Sequence, residues 1–96
     1  MIGAWESDVR ETRQRGLMRF TFTFTADGAL AAAALPIAGP GAQPLYRAGT
    51  YRLHGGQLQS DAVNEGQPVS VRFENEVLLL QFDAGLSFRL RRIGNG

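Results

Sequence analysis

The chain has no cysteine among its 96 residues. That absence excludes disulfides, thiolate nucleophiles and cysteine-ligated zinc or iron–sulfur centres. Lysine is absent too, so all ten basic residues are arginine, a bias better read as codon composition than as function. The single histidine, His54, cannot by itself anchor a histidine-cluster metal site. No apolar run reaches the ~18 residues needed to span a bilayer as a helix. The formal net charge of +1 gives no general electrostatic drive toward nucleic acid or anionic lipid. The common nucleotide-, hydrolase- and zinc-binding signatures are missing. No cofactor, metal or nucleic-acid partner is therefore expected. The chain starts Met1-Ile2-Gly3-Ala4-Trp5, without a basic segment and apolar core ahead of the first strand-like pattern. As it stands it reads as cytoplasmic, and a secreted or periplasmic protein trimmed of its leader would read the same.

What is present is alternation. Met18-Arg19-Phe20-Thr21-Phe22-Thr23-Phe24-Thr25 places apolar residues at every second position, the period of a half-buried strand. Similar stretches recur between short turn signals, which is the pattern of an all-β meander. Eight strands are predicted, over about Ala4–Arg10, Leu17–Thr25, Ala29–Leu35, Thr50–His54, Gln57–Ala62, Pro68–Phe73, Val77–Phe82 and Leu86–Ile93. The run Ala31-Ala32-Ala33-Ala34 has the composition of a helix. The Asp27-Gly28 hairpin signal before it and Pro36 after it leave room for only about seven residues, so it is read as a strand, with helix as the alternative. The size and composition, 44% apolar and 20% charged, suit one globular domain spanning residues 1–96.

If the strands run up and down, the connections sort by end. Ala26-Asp27-Gly28, Gly55-Gly56 and Glu74-Asn75-Glu76 share one end and are tight. The other end collects Glu11–Gly16, Pro36–Gly49, Val63–Gln67 and Asp83-Ala84-Gly85. In antiparallel barrels such asymmetry marks a closed floor and an open or lidded mouth. Alternation then turns Met18, Phe20, Phe22 and Phe24 inward. Facing them are Leu30, Ala32, Ala34, Tyr51, Leu53, Leu58, Ser60, Ala62, Val69, Val71, Phe73, Leu78, Leu80, Phe82, Leu86, Phe88 and Leu90. The fold expected is an eight-stranded antiparallel up-and-down β-barrel.

Three motifs give this pattern a family likeness. The chain opens with Gly3-Ala4-Trp5, carries the hairpins FTFTADGAL and GTYRLHGGQL, and closes with FRLRRI. In these it resembles the small bacterial lipocalin-like domains of the calycin superfamily. The first motif matches their G-x-W, and the last their arginine near the end of the final strand. The resemblance implies a short lipocalin-like barrel whose floor is plugged by Gly3 and Trp5 under an arginine. Arg92 shares the inward parity of Phe88 and Leu90 and is the better match; Arg91 competes for the role. The chain is shorter than full lipocalins and closes without their C-terminal helix, which reduces the cavity to be expected.

The interior of an eight-stranded barrel is either filled by its own side chains or just wide enough for one small ligand. A pocket would lie at the mouth, walled by Val9, Met18, Phe20, Ala34, Ala62, Val69, Phe82 and Leu86. Tyr51 and Ser60 would supply convergent polar groups, and Ile37, Leu45 and Tyr46 of the long connection would cover it. The floor would be packed by Gly3, Trp5, Phe24, Leu53, Phe73, Leu90 and Arg92. Other clusters have plainer readings. His54 is a surface residue, Asp61/Asn64/Glu65 lack the ligand spacing of an EF-hand, and the Glu6/Asp8 and Glu74/Glu76 pairs do not form a buried acid–base couple. Arg10, Arg13 and Arg15, with Arg89 and Arg91, form a rim partly neutralised by Glu6, Asp8 and Glu11. The function expected is non-enzymatic binding of a small apolar or amphipathic molecule. The alternatives are a structural or protein-interaction module with a filled core, monomeric or a homodimer through Val77 and Leu79, and, more remotely, a calycin-like isomerase.

Overall fold

An alternating sequence leaves each strand with two edges to pair, and this chain satisfies them by closing on itself. The computed structural model of the chain describes residues 2–12, 16–38, 43–63, 66–83 and 86–94, and of residues 10–12, 38, 83, 86 and 94 it describes the backbone alone. The strands are β1 (Gly3–Ser7), β2 (Arg10–Thr12), β3 (Gly16–Phe24), β4 (Ala29–Ala38), β5 (Leu45–His54), β6 (Gln57–Ser60), β7 (Val69–Glu74), β8 (Val77–Asp83) and β9 (Leu86–Gly94). All pairings are antiparallel, in the order β1-β9-β8-β7-β6-β5-β4-β3-β2, and β1 also pairs with β3 to complete the ring. Among the described residues there is no α-helix and no helix long and apolar enough to cross a membrane.

The ring has eight staves because β1 and β2 are two pieces of one. Glu6 faces Thr21, and Arg10 faces Met18, so the first strand carries one extra residue over this span and breaks at Asp8-Val9. Predicted as continuous over Ala4–Arg10, it therefore contains a bulge. Ser7 bridges the break. Its hydroxyl accepts a hydrogen bond from the Phe20 N–H at 3.0 Å and donates to the Asp8 carbonyl at 2.8 Å, replacing the ladder bonds lost there.

Two boundaries depart from expectation. The alanine run is strand, as read, but β4 continues through Pro36 to Ala38. Its pairing with β5 ends at Ala34↔Leu45, whereas its pairing with β3 continues through Met18↔Pro36. Proline is tolerated in a sheet where its missing N–H is not needed by a neighbour. β5 begins at Leu45, five residues before the predicted Thr50, and changes partner halfway: Leu45 to Thr50 pair with β4, Tyr51 to His54 with β6. At the change, the Thr50 N–H donates to the Asp61 carboxylate at 3.0 Å. A β-carbon at Gly49 would overlap that carboxylate, lying 2.8 Å from Asp61 Cγ, so the Asp61 contact with Thr50 needs a residue without one at this position.

The tight turns fall at one end. Gly55-Gly56 and Asn75-Glu76 have positive φ at both central positions, 57° and 76°, and 47° and 67°, the backbone of type I′ hairpin turns. In the β3–β4 turn, the Thr25 hydroxyl bonds the Asp27 carboxylate and accepts from the Ala29 N–H at 3.1 Å. The Thr25 hydroxyl, and after it the Ala29 backbone N–H, hold the Asp27 carboxyl below its ordinary pKa.

Inside, Trp5, Phe22, Phe24, Leu30, Leu58, Val69, Leu78, Leu80, Phe88 and Leu90 belong to one buried cluster with Ala62 and Val63. Burying each large member contributes ~1.5–3 kcal/mol. The closed end is sealed over Trp5. The Phe73 ring meets its indole edge-on, with centroids 5.3 Å apart, and the Arg92 guanidinium carbon lies 4.4 Å from the indole centroid. Arg92 also donates to the Ile2 carbonyl at 2.7 Å, tying the last strand to the residue before the first.

Candidate functional site

The cavity at the mouth end follows from a mismatch of side-chain sizes on adjacent strands. β3 offers Phe20 and Phe22 to the interior, while their partners on β4 are Ala34 and Ala32. Rings beside methyl groups leave an open space on the alanine side that no described residue fills. The resulting cavity is about 400 Å³, lined by Phe20, Phe22, Ala32, Ala33, Ala34, Leu45, Arg47, Ala62, Val63, Phe82 and Phe88.

Phe88 organises the aromatic wall. Its ring centroid lies 5.0 Å from Phe20, 5.3 Å from Phe82 and 6.3 Å from Phe22, distances and tilts typical of favourable aromatic pairs. The opposite wall comes from the start of β5 and from the turn after β6. Ser60 shapes that turn. It is buried, and its hydroxyl accepts from the Ala62 N–H at 3.0 Å, which directs Ala62 and Val63 into the interior.

Of the residues expected at a pocket, Phe20, Ala34, Ala62 and Phe82 come together on this cavity. The others do not. Val9 lies at the break between β1 and β2 and is 38% exposed, because the bulge cancels the parity that would turn it inward. Met18 and Val69 are buried without lining the cavity. Tyr51 sits at the closed end: its ring packs edge-on against Phe24 at 5.0 Å and its hydroxyl donates to the Thr25 carbonyl at 2.9 Å. Ser60 spends its hydroxyl on its own turn. Tyr46 is the most exposed of these, at 71%, and faces the outer wall with Thr21, Thr23, Ala31 and Ala48. The Leu86 side chain lies outside the described residues. Of the expected floor, Gly3, Trp5, Phe24 and Leu90 are buried, Phe73 and Arg92 cover Trp5 from outside, and Leu53 is half exposed.

Sequence reasoning missed Phe22, Ala32, Ala33, Arg47, Val63 and Phe88 as cavity walls, and Leu45, expected as a cover from the long connection, is a wall on β5. Phe22, Ala32 and Phe88 had been given inward parity, but their height along the barrel was misjudged. Leu45 and Arg47 pair as strand, although Leu45-Tyr46-Arg47-Ala48 carries no period-2 pattern that would announce it.

The remaining polar clusters have structural employment. Asp61 holds Thr50, while Asn64 and Glu65 lie outside the described residues. Asp8 is 3.7 Å from Arg91 in an exposed ion pair, worth little in stability. Arg13 and Arg15 lie outside the described residues. His54 is exposed and borders an outer depression of about 400 Å³ with Arg52, Leu53, Gln57, Gln59 and Pro68. Among the described residues no three metal-ligating side chains converge. Among the described residues the cavity walls include no nucleophile, acid or base, and Arg47 is their one charged group. Compared with known proteins, the chain matches no family model, no curated sequence and no solved structure.

Proposed function

We propose that this chain is a small lipocalin-like barrel that binds one apolar or amphipathic molecule in its mouth cavity and does not catalyse a reaction. The observation that carries this reading is the apolar space of about 400 Å³ between the phenylalanine wall and the alanines of β4. It falls at the small end of the ~300–1,000 Å³ range of ligand pockets. The lipocalin-like assignment is supported by the Gly3-Ala4-Trp5 opening and by Arg92 over the indole.

Titration with Nile red, a neutral solvatochromic dye, tests the reading. Wild type should give saturable blue-shifted emission, and Ala32→Leu, which fills the cavity from the β4 side, should remove it. Trp5 emission reports folding independently, because Trp5 lies at the closed end. Absence of saturable dye binding by wild type, or undiminished binding by a folded Ala32→Leu, would overturn the proposal.

A second reading, a protein-interaction module, is favoured by Leu17, Ile37 and Leu45, which are 39%, 49% and 41% exposed at the mouth end. Val77 and Leu79, the expected homodimer contact, are half-buried within one chain. Sedimentation that finds only monomer up to high concentration would remove the homodimer form of this reading.

A further inference from the structure

Closing the ring leaves one stretch of strand edge over. β5 pairs with β4 from Leu45 to Thr50 and with β6 only from Tyr51 onward, so along residues 45–49 its second edge faces no strand among the described residues. Two bonds fix which way the backbone groups point there. The Tyr51 N–H is turned to β4 and donates to the Gly28 carbonyl at 2.9 Å, while the Thr50 N–H is turned the other way, to the Asp61 carboxylate at 3.0 Å. Backbone groups alternate sides along an antiparallel strand, so the N–H and C=O of Tyr46 and Ala48 point away from β4, as the Thr50 N–H does. Among the described residues none of these four groups has a hydrogen-bond partner. Asp61 caps one position of the edge. The next two are uncapped, and Leu45, Tyr46, Arg47 and Ala48 are all exposed.

An uncapped edge is a template for another strand. We infer that β5 takes on an extended peptide segment of a partner protein along residues 45–49, antiparallel like every other pairing in this sheet. The segment carries an acidic residue opposite Arg47 and, two positions further on, an apolar residue opposite Leu45. Tyr46 and Ala48 each exchange two backbone hydrogen bonds with it, the main-chain recognition of strand addition. Residues directly opposite each other share a face of the sheet. The acidic residue therefore lies beside the Arg47 guanidinium, which has no ion-pair or hydrogen-bond partner among the described residues. The apolar one lies beside Leu45, a wall of the mouth cavity. A second copy of this chain fits the edge less well. The register that joins Tyr46 to Ala48 of a twofold-related edge sets Arg47 directly opposite Arg47, and like charges so placed repel. The inference goes beyond small-molecule binding, because it rests on the backbone of β5.

The test is an anisotropy titration of the full chain into a fluorescein-labelled peptide, Ser-Thr-Thr-Glu-Thr-Leu-Ser. Two further peptides serve as controls, one with Lys in place of Glu and one with N-methyl groups on the two threonines that flank Glu. Wild type should bind the Glu peptide saturably, with Kd below ~1 mM, and favour it over the Lys peptide by about threefold to tenfold. N-methylation, which blocks the bonds to Tyr46 and Ala48, should abolish binding. Arg47→Glu, with Trp5 emission as the check on folding, should reverse the order of the Glu and Lys peptides. No saturable binding of the Glu peptide, equal binding of its N-methylated form, or a charge order that Arg47→Glu leaves unchanged overturns the inference. So does a dimer in sedimentation that is dissociated by Ala48→Pro, which removes an outward N–H and no bond to β4, because a second copy then holds the edge. Nile red binding is measured separately, so failure of the peptide leaves the cavity reading intact, and failure of the dye leaves the edge.

Discussion

Gly49 and Asp61 should be energetically coupled strongly enough to reverse the sign of a mutation. In wild type, the Asp61 carboxylate accepts the Thr50 N–H and occupies the space where a Gly49 β-carbon would stand. Gly49→Ala must push the carboxylate off Thr50, losing a charge-assisted hydrogen bond worth ~1.5 kcal/mol at such an exposed site. Against this, alanine lowers the entropy of the unfolded chain, contributing ~0.4–1 kcal/mol where its backbone conformation is allowed. Gly49 is not among the positive-φ glycines, so that condition holds. The net cost in wild type is then ~0.5–1 kcal/mol. In an Asp61→Ala background the obstruction is gone, and the same substitution should stabilise by ~0.4–1 kcal/mol. The assay is urea unfolding of the four proteins of the cycle, followed by Trp5 emission. Coupling of ~1.5 kcal/mol is expected. If Gly49→Ala destabilises both backgrounds equally, the proposed role of Asp61 in the β5 bend is wrong.

At the closed end, Arg92→Ala should destabilise by ~1–2 kcal/mol, through loss of the indole contact and of the bond to Ile2, and should red-shift Trp5 emission; an unshifted spectrum would mean the indole is shielded without Arg92. Asp27 links the β3–β4 turn to pH. Its folded pKa is lowered, chiefly by the Thr25 hydroxyl and then by the Ala29 backbone. Its contribution is therefore full above the unfolded carboxyl value of ~3.9 and is lost as pH falls through the lower folded value. Stability measured from pH 6 down to 2 should fall less steeply in Asp27→Asn than in wild type, and parallel curves would contradict the assignment.

The barrel was legible because alternation survives in most of the strands and because the tight turns announce one end. Parity, however, carries information only while register is unbroken. Val9 lost its inward direction to a single extra residue at Asp8, which no composition signal marks. Height along the barrel was less legible still. Tyr51 follows the long connection in sequence and so was expected at the mouth. Yet its N–H donates to the Gly28 carbonyl at 2.9 Å, at the opposite end, because β5 starts early and is staggered past β4. Stagger is set by how the ring closes, a property of all the strands together. The same early start brings Leu45 and Arg47 into the sheet, opposite Ala34 and Ala32 of β4. Pro36 was read as a stop because proline removes a ladder donor, but the donor is needed only where a second neighbour exists.

The contact between Arg92 and Ile2 has a temporal side. The stave that completes the ring is the first piece of chain, and its second neighbour is the last, so β1 waits with one edge unpaired until β9 arrives. Hairpins from β3 to β8 can form from neighbours in sequence, but closure must draw together segments about ninety residues apart, the kind of step that slows folding in β-rich topologies. Phe73 of β7 can reach the indole before the ring is complete, but the Arg92 half of its cover comes with β9. Closing the ring and capping Trp5 are therefore one event, and an open, curled sheet leaves the indole with only part of its cover.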